Sequence, residues 1–137
     1  MSYYINIKTD YQFDEAIDKI TQALQTEGFG ILTDIDVKST LKEKLDVDFK
    51  NYRILGACNP AFAYKAFQVE DQIGIMMPCN VTVIEQDNGH VDISIMDPTA
   101  AFDVIENDEL QPFAHELKMK LERSLTYLEE STSHLNQ

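Results

Sequence analysis

The Asp87-Asn88-Gly89 turn restricts the fold of this chain more than any other feature. Asn-Gly favours the left-handed backbone of a tight reversal, and here it separates two segments rich in β-formers. Beyond the turn, Val91, Ile93 and Ile95 alternate with Asp92, Ser94 and Met96, the period-two pattern of a strand with one buried face. Before it, Ile73 to Ile84 reads as strand interrupted at Pro78, which cannot donate to a ladder and so marks a bulge, an edge or a break. An antiparallel hairpin follows, and Asp97-Pro98 ends its second strand.

Around this hairpin the periodicity switches between strand and helix. Tyr3 to Ile7 predicts a first strand. Phe13, Ala16, Ile17, Ile20, Ala23 and Leu24 then recur at three- and four-residue steps, an amphipathic helix opened by Thr9-Asp10 with acidic Asp14-Glu15 and closed at Gly28. Phe29 to Thr33 reads as a strand, followed by a short helix capped by Asp34 or Asp36 with Val37, Leu41 and Leu45 as its buried stripe. Tyr52 to Cys58 is a further strand, and Asn59-Pro60 starts a helix through about Val69, with asparagine at the cap and proline in the first turn. Leu110, Phe113, Ala114, Leu117, Leu121 and Leu128 stripe a long C-terminal helix that tolerates Pro112 near its start. The order β-α-β-α-β-α-β-β-α predicts an α+β fold, an antiparallel or mixed sheet packed by helices. With 137 residues, one domain over 1–130 and a polar, frayed tail over 131–137 are expected.

Charge narrows the function classes. Eleven basic residues face 24 acidic ones, a formal charge of −13, which opposes binding to nucleic acid and to anionic membranes. Lys38, Lys42 and Lys44 form a local basic patch, read either as a small-anion site or, more simply, as a solvated helix face. No apolar run approaches the roughly 20 residues of a membrane span, and the N-terminus lacks the basic-then-apolar order of a signal peptide. Two cysteines without a secretory signal read as free thiols, so a cytoplasmic setting is expected.

Cys58 is the leading candidate for chemistry. It ends a strand directly before the Asn59-Pro60 helix start, where the helix dipole and unpaired N–H groups favour a thiolate or a bound anion. Gly56 admits the close approach of another chain or a ligand. Cys79-Asn80 repeats the cysteine-asparagine pattern after Pro78, and Asp97 places a carboxylate at a strand end, where capping the next turn is its ordinary role. The alternative for both cysteines is plain burial as small apolar side chains. The spacing matches neither a CxxC pair nor a zinc site, and His90, His115 and His134 are not placed at ligand spacing, so no metal is expected. Nucleophile-elbow, Walker and GxGxxG signatures are missing, and no cofactor is identifiable. Met76, Met77, Met96, Phe62, Tyr64 and Phe67 are read as core packing, with a pocket lining as the alternative.

Longer stretches carry a family likeness. Tyr52-Arg53-Ile54-Leu55-Gly56-Ala57-Cys58-Asn59-Pro60, Ile73-Gly74, Pro78-Cys79-Asn80-Val81 and Asp97-Pro98 resemble the prokaryotic family known as domain of unknown function 302. Phe13-Asp14-Glu15-Ala16, Glu27-Gly28-Phe29-Gly30 and Leu41-Lys42-Glu43-Lys44-Leu45 extend the likeness. Asp71-Gln72 departs from an expected Glu-Pro, and Met76-Met77 replaces a leucine pair. The resemblance implies an antiparallel sheet with helices on one face, similar in layout to one half of a TATA-binding protein. It implies no activity, and no DNA binding follows from fold likeness.

Three functions compete. A binding module would hold a metabolite, anion or sulfur species near Gly56, Cys58, Asn59, Cys79, Asn80 and Asp97. A structural protein would form a homodimer through its sheet or long helix. A thiol enzyme or redox sensor would use Cys58 as nucleophile and Cys79 as resolving partner.

Overall fold

Val83 and Ile93 face each other across the central hairpin, as do Val81 and Ile95, and all four are fully buried. The computed structural model describes residues 2–135, with side chains through 130. Five strands, β1 (Tyr4–Thr9), β2 (Gly30–Asp36), β3 (Tyr52–Cys58), β4 (Cys79–Glu85) and β5 (Val91–Met96), form one sheet in the order β1-β5-β4-β3-β2. Every pairing is antiparallel. The helices are α1 (Phe13–Gln25), α2 (Val37–Leu45), α3 (Pro60–Val69), the short α4 (Pro98–Ala101) and α5 (Leu110–Leu135), with 3₁₀ turns at Asp71–Met76 and Phe102–Val104. This is the expected α+β architecture, with a purely antiparallel sheet and the added α4 turn.

Alternation divides the sheet into two faces. Leu55, Ala57, Val81, Val83, Val91, Ile93 and Ile95 are buried in one core with Ile20 and Leu24 of α1 and Leu110, Leu117, Leu121 and Leu128 of α5. Phe62 of α3 meets Phe113 of α5 edge-on, with ring centroids 5.4 Å apart. The intervening positions, Asn80, Thr82, Ile84, Asp92, Ser94 and Met96, are at most half-buried and turn to the other face. Gly89 takes φ +89° in the β4–β5 turn, as Asn-Gly requires. Gly28 takes φ +86°, letting the Phe29 N–H return to the Leu24 carbonyl at 3.1 Å and close α1.

Several local expectations are corrected. Helix α1 is entered through Gln12 without a side-chain cap, because Thr9 belongs to β1 and donates its hydroxyl to the Val91 carbonyl at 3.0 Å. Strand β2 extends to Asp36, which is the cap that accepts from the Ser39 N–H. The stripe Val37, Leu41, Leu45 is not buried: no residue of α2 is, and Leu45 is 66% exposed. Ile73 to Met76 is a 3₁₀ turn rather than strand, begun where the Glu70 carboxylate accepts from the Gln72 N–H, and β4 starts only after Pro78, at Cys79. Phe62 is core and Met76, Met77 and Met96 pack against it, whereas Tyr64 and Phe67 on the outer side of α3 are exposed. The segment from Ser131 set apart as a polar tail continues the backbone of α5 to Leu135, and its side chains, His134 included, lie outside the described residues.

Candidate functional site

The two cysteine-asparagine elements meet where β3 and β4 pair. Gly56 stands opposite Asn80 and Ala57 opposite Cys79, with Cys58 one residue beyond. Cys58 is half-buried and Cys79 buried, both as free thiols. They line, with Phe29, Phe62 and Met77, an apolar pocket of about 20 Å³. That space admits one water rather than a metabolite. Burial pushes the Cys58 thiol above its ordinary value. Burial, and then the neighbouring Cys58, push Cys79 up to about 12. Burial therefore works against a thiolate at Cys58.

Asn59 adds to this. Its Oδ1 accepts from the Phe62 N–H at 3.2 Å, occupying the α3 N-terminus from within. Its Nδ2 donates to the Glu27 carbonyl at 3.3 Å, and Arg123 holds the Glu27 carboxylate at 2.8 Å, so α3, the end of α1 and α5 are tied together. Gly56 admits a close approach, as its sequence position suggested, and the approaching groups belong to this chain. A β-carbon there would lie 2.6 Å from Pro78 Cγ and collide with the Thr33 hydroxyl.

The remaining two candidates lie apart from the thiols. Asp97 caps α4, accepting from the Thr99 N–H at 2.9 Å and the Thr99 hydroxyl at 2.7 Å, with Lys118 Nζ at 3.0 Å. Burial alone would raise its carboxyl; the hydrogen bonds from the Thr99 side chain, Lys118 and the Thr99 backbone, with the ammonium charge, outweigh burial and lower it. Asn80 is on the opposite face of the sheet from the buried Cys79.

That opposite face carries a site the motif search missed. Asn80, Thr82, Asp92 and Ser94 form the floor of a groove of about 480 Å³, with Tyr4 and Tyr52 among its walls. Asn6 donates to the Ser94 hydroxyl at 2.8 Å. Beside the β4–β5 turn, Gln86 Nε2 donates to Asp92 Oδ2 at 2.9 Å, while Asp92 Oδ1 is buried without a hydrogen-bond partner among the described residues. Lys8 is opposite Asp92 in register but makes no ion pair with it among those residues. The signal in the sequence was the polar half of the β4 and β5 alternation. The tyrosines that wall the groove come from β1 and β3, far away in sequence, so no local motif unites them.

The other sequence candidates have structural occupations. Lys42 pairs with Asp46 at 2.9 Å and Asp48 at 3.6 Å, and Lys38 donates to the Phe49 carbonyl at 2.6 Å, so α2 holds its own loop. His90 Nδ1 is 3.2 Å from Asp10 Oδ1. Among the described residues no group of three or more His, Cys, Asp or Glu side chains could hold a metal ion, and no helix is long and apolar enough to cross a membrane.

Residues 5–128 match the family model described as "Domain of unknown function DUF302". The crystal structure of an uncharacterized conserved DUF302 protein from Bacillus stearothermophilus is similar, with a TM-score of 0.85 at 25% identity, covering 92% of this chain and 98% of that one. Comparison with curated proteins gives no match.

Proposed function

The chain belongs to the DUF302 family, and we propose that it is a small-ligand binding module whose site is the groove on the uncovered face of the sheet. The enclosed, unpartnered Asp92 Oδ1 carries this reading. A carboxylate oxygen withdrawn from water without a donor costs stability unless something brings one. The groove is within the roughly 300–1,000 Å³ range of ligand sites. Its amide and hydroxyl floor supplies orientation, Tyr4 and Tyr52 supply flat apolar surface, and the −13 charge of the chain disfavours anions. The ligand class is a neutral or cationic small molecule with a flat portion and an N–H or O–H donor for Asp92. Of the two cysteine-asparagine elements, the second contributes directly through Asn80, and the first braces β3 and α3 behind it. The raised thiols favour this reading over a nucleophilic Cys58.

The test is a thermal-shift screen with nucleobases, aromatic amides and aromatic amines, beside carboxylate and sulfur-oxyanion controls. A binder raises the melting temperature of the wild type, and Asp92→Ala abolishes that rise while leaving the Cys58 and Cys79 variants responsive. A panel without a single binder, or a rise that persists in Asp92→Ala, overturns the proposal.

A further inference from the structure

Gln86 directly precedes the Asp87-Asn88-Gly89 turn, and both of its backbone groups are committed to closing it. Its N–H donates to the His90 carbonyl at 2.8 Å, and its carbonyl accepts from the Gly89 N–H at 3.0 Å. With the backbone held, the side chain continues the outward row of Thr82 and Ile84, the face on which Asp92 also lies. A glutamine amide accepts at one end and donates at the other, so its neighbours decide which way round it sits. Lys50 Nζ, which can only donate, is 3.4 Å from Gln86 Oε1, and Nε2 therefore faces Asp92 Oδ2 at 2.9 Å. The row Lys50, Gln86, Asp92 thus runs donor to acceptor at each step.

The far end of this row is where a ligand is met. With Oδ2 held by the amide, the Asp92 carboxylate is left with Oδ1, an acceptor without a donor among the described residues. Asp92 also belongs to no ion pair among those residues, although Lys8 is opposite it in register. Its one hydrogen-bond partner is a neutral amide, so the charge on the carboxylate is uncompensated. A neutral donor would satisfy Oδ1 and leave that charge in place; a cation satisfies the oxygen and cancels the charge together. Tyr4 and Tyr52 in the walls add aromatic surface that attracts positive charge.

We propose that Gln86, oriented by Lys50, is a positioning residue that aims Asp92 and makes the groove select flat cations bearing an N–H donor over neutral and anionic molecules of the same shape. This assignment rests on the groove being the ligand site and narrows its ligand to one charge type. Benzamidinium, benzamide and benzoate, flat molecules of one shape and three charges, are the probes, titrated into the isotopically labelled full chain and followed by NMR at Tyr4 and Tyr52. The wild type is expected to bind benzamidinium roughly tenfold tighter than benzamide, with benzoate weakest. In Asp92→Asn, Gln86 still donates to the amide oxygen, so the amide nitrogen stands where Oδ1 was and the site becomes a donor. Benzamide, through its carbonyl, then binds tighter than benzamidinium. Adding Lys50→Met frees both amides to turn over and cancels that inversion, an effect that a Gln86 merely propping the groove does not produce. Lys50 is exposed and Asp92→Asn conserves shape, so the fold is kept. Three results overturn the assignment while leaving the groove as the site: no preference for benzamidinium in the wild type, no inversion in Asp92→Asn, or an inversion that survives Lys50→Met. Resonances of Tyr4 and Tyr52 that move with none of the probes overturn the site itself.

Discussion

Lys118 Nζ is 3.0 Å from Asp97 Oδ2, and this contact fastens the cap of α4 to the middle of α5. Asp97 is 8% exposed and already accepts two hydrogen bonds from Thr99. Its folded-state carboxyl is lowered, so its contribution to stability is complete above the unfolded value of about 3.9 and is lost as pH falls through the folded value. Urea titrations between pH 7 and pH 2 are expected to show this acid-side loss in the wild type and a shallower one in Asp97→Asn. At neutral pH, Asp97→Ala is expected to cost about 1–2 kcal/mol through the lost cap.

Gly56→Ala is expected to destabilise the fold by about 1–3 kcal/mol, measured by chemical denaturation. The added methyl meets the Pro78 ring and the Thr33 hydroxyl on two different neighbouring strands or their approaches. Removing the hydroxyl with Thr33→Ala relieves only one collision, so the double variant recovers only part of the loss. Full recovery would show that the Pro78 ring has room to move.

Alkylation of the folded protein by iodoacetamide is expected to be slow at both thiols at pH 7. Cys58, half-buried, should react with an apparent pKa above the free-cysteine value, and Cys79 only on unfolding. Peptide mass spectrometry across a pH series distinguishes the two. A fast reaction at Cys58 near neutral pH would restore the nucleophile reading.

Tyr11 is 5% exposed, and its hydroxyl has no hydrogen-bond partner among the described residues. Tyr11→Phe removes that group and keeps the ring. The expected gain is about 1 kcal/mol in chemical denaturation. A loss of stability would instead reveal a partner, such as an ordered water, at the hydroxyl.

What the sequence disclosed depended on whether the signal was local. Asn59-Pro60 and Asn88-Gly89 fix backbone within four residues, and the structure starts a helix and turns a hairpin at those places. The alternation of Val91, Ile93 and Ile95 likewise assigned the buried face correctly. At Ile73-Gly74-Ile75-Met76, apolar composition suggested strand, but hydrogen bonding to Glu70 wound it into a 3₁₀ turn. The Val37, Leu41, Leu45 periodicity correctly produced a helix, whereas its burial depended on what else the chain had to place against it. For the site, motif reasoning brought Cys58 and Cys79 to one pocket and left out the groove, because Tyr4, Tyr52 and Asp92 converge only through the pairing of β1 with β5 and β3 with β4.

The pairing of β1 with β5 also sets a timetable. Thr9 bonds to a carbonyl 82 residues later, whereas β2 pairs with β3, β3 with β4 and β4 with β5, each the next strand in the chain. A chain made from its N-terminus therefore emerges from the ribosome with β1 first and completes its partner strand, β5, last of the five strands. Until then Tyr4 and Asn6 have no β5 beside them, and the groove they help to wall does not exist. A chain that stops before Val91 therefore lacks the strand beside which Tyr4 and Asn6 wall the groove, and the groove exists only once the whole sheet is paired.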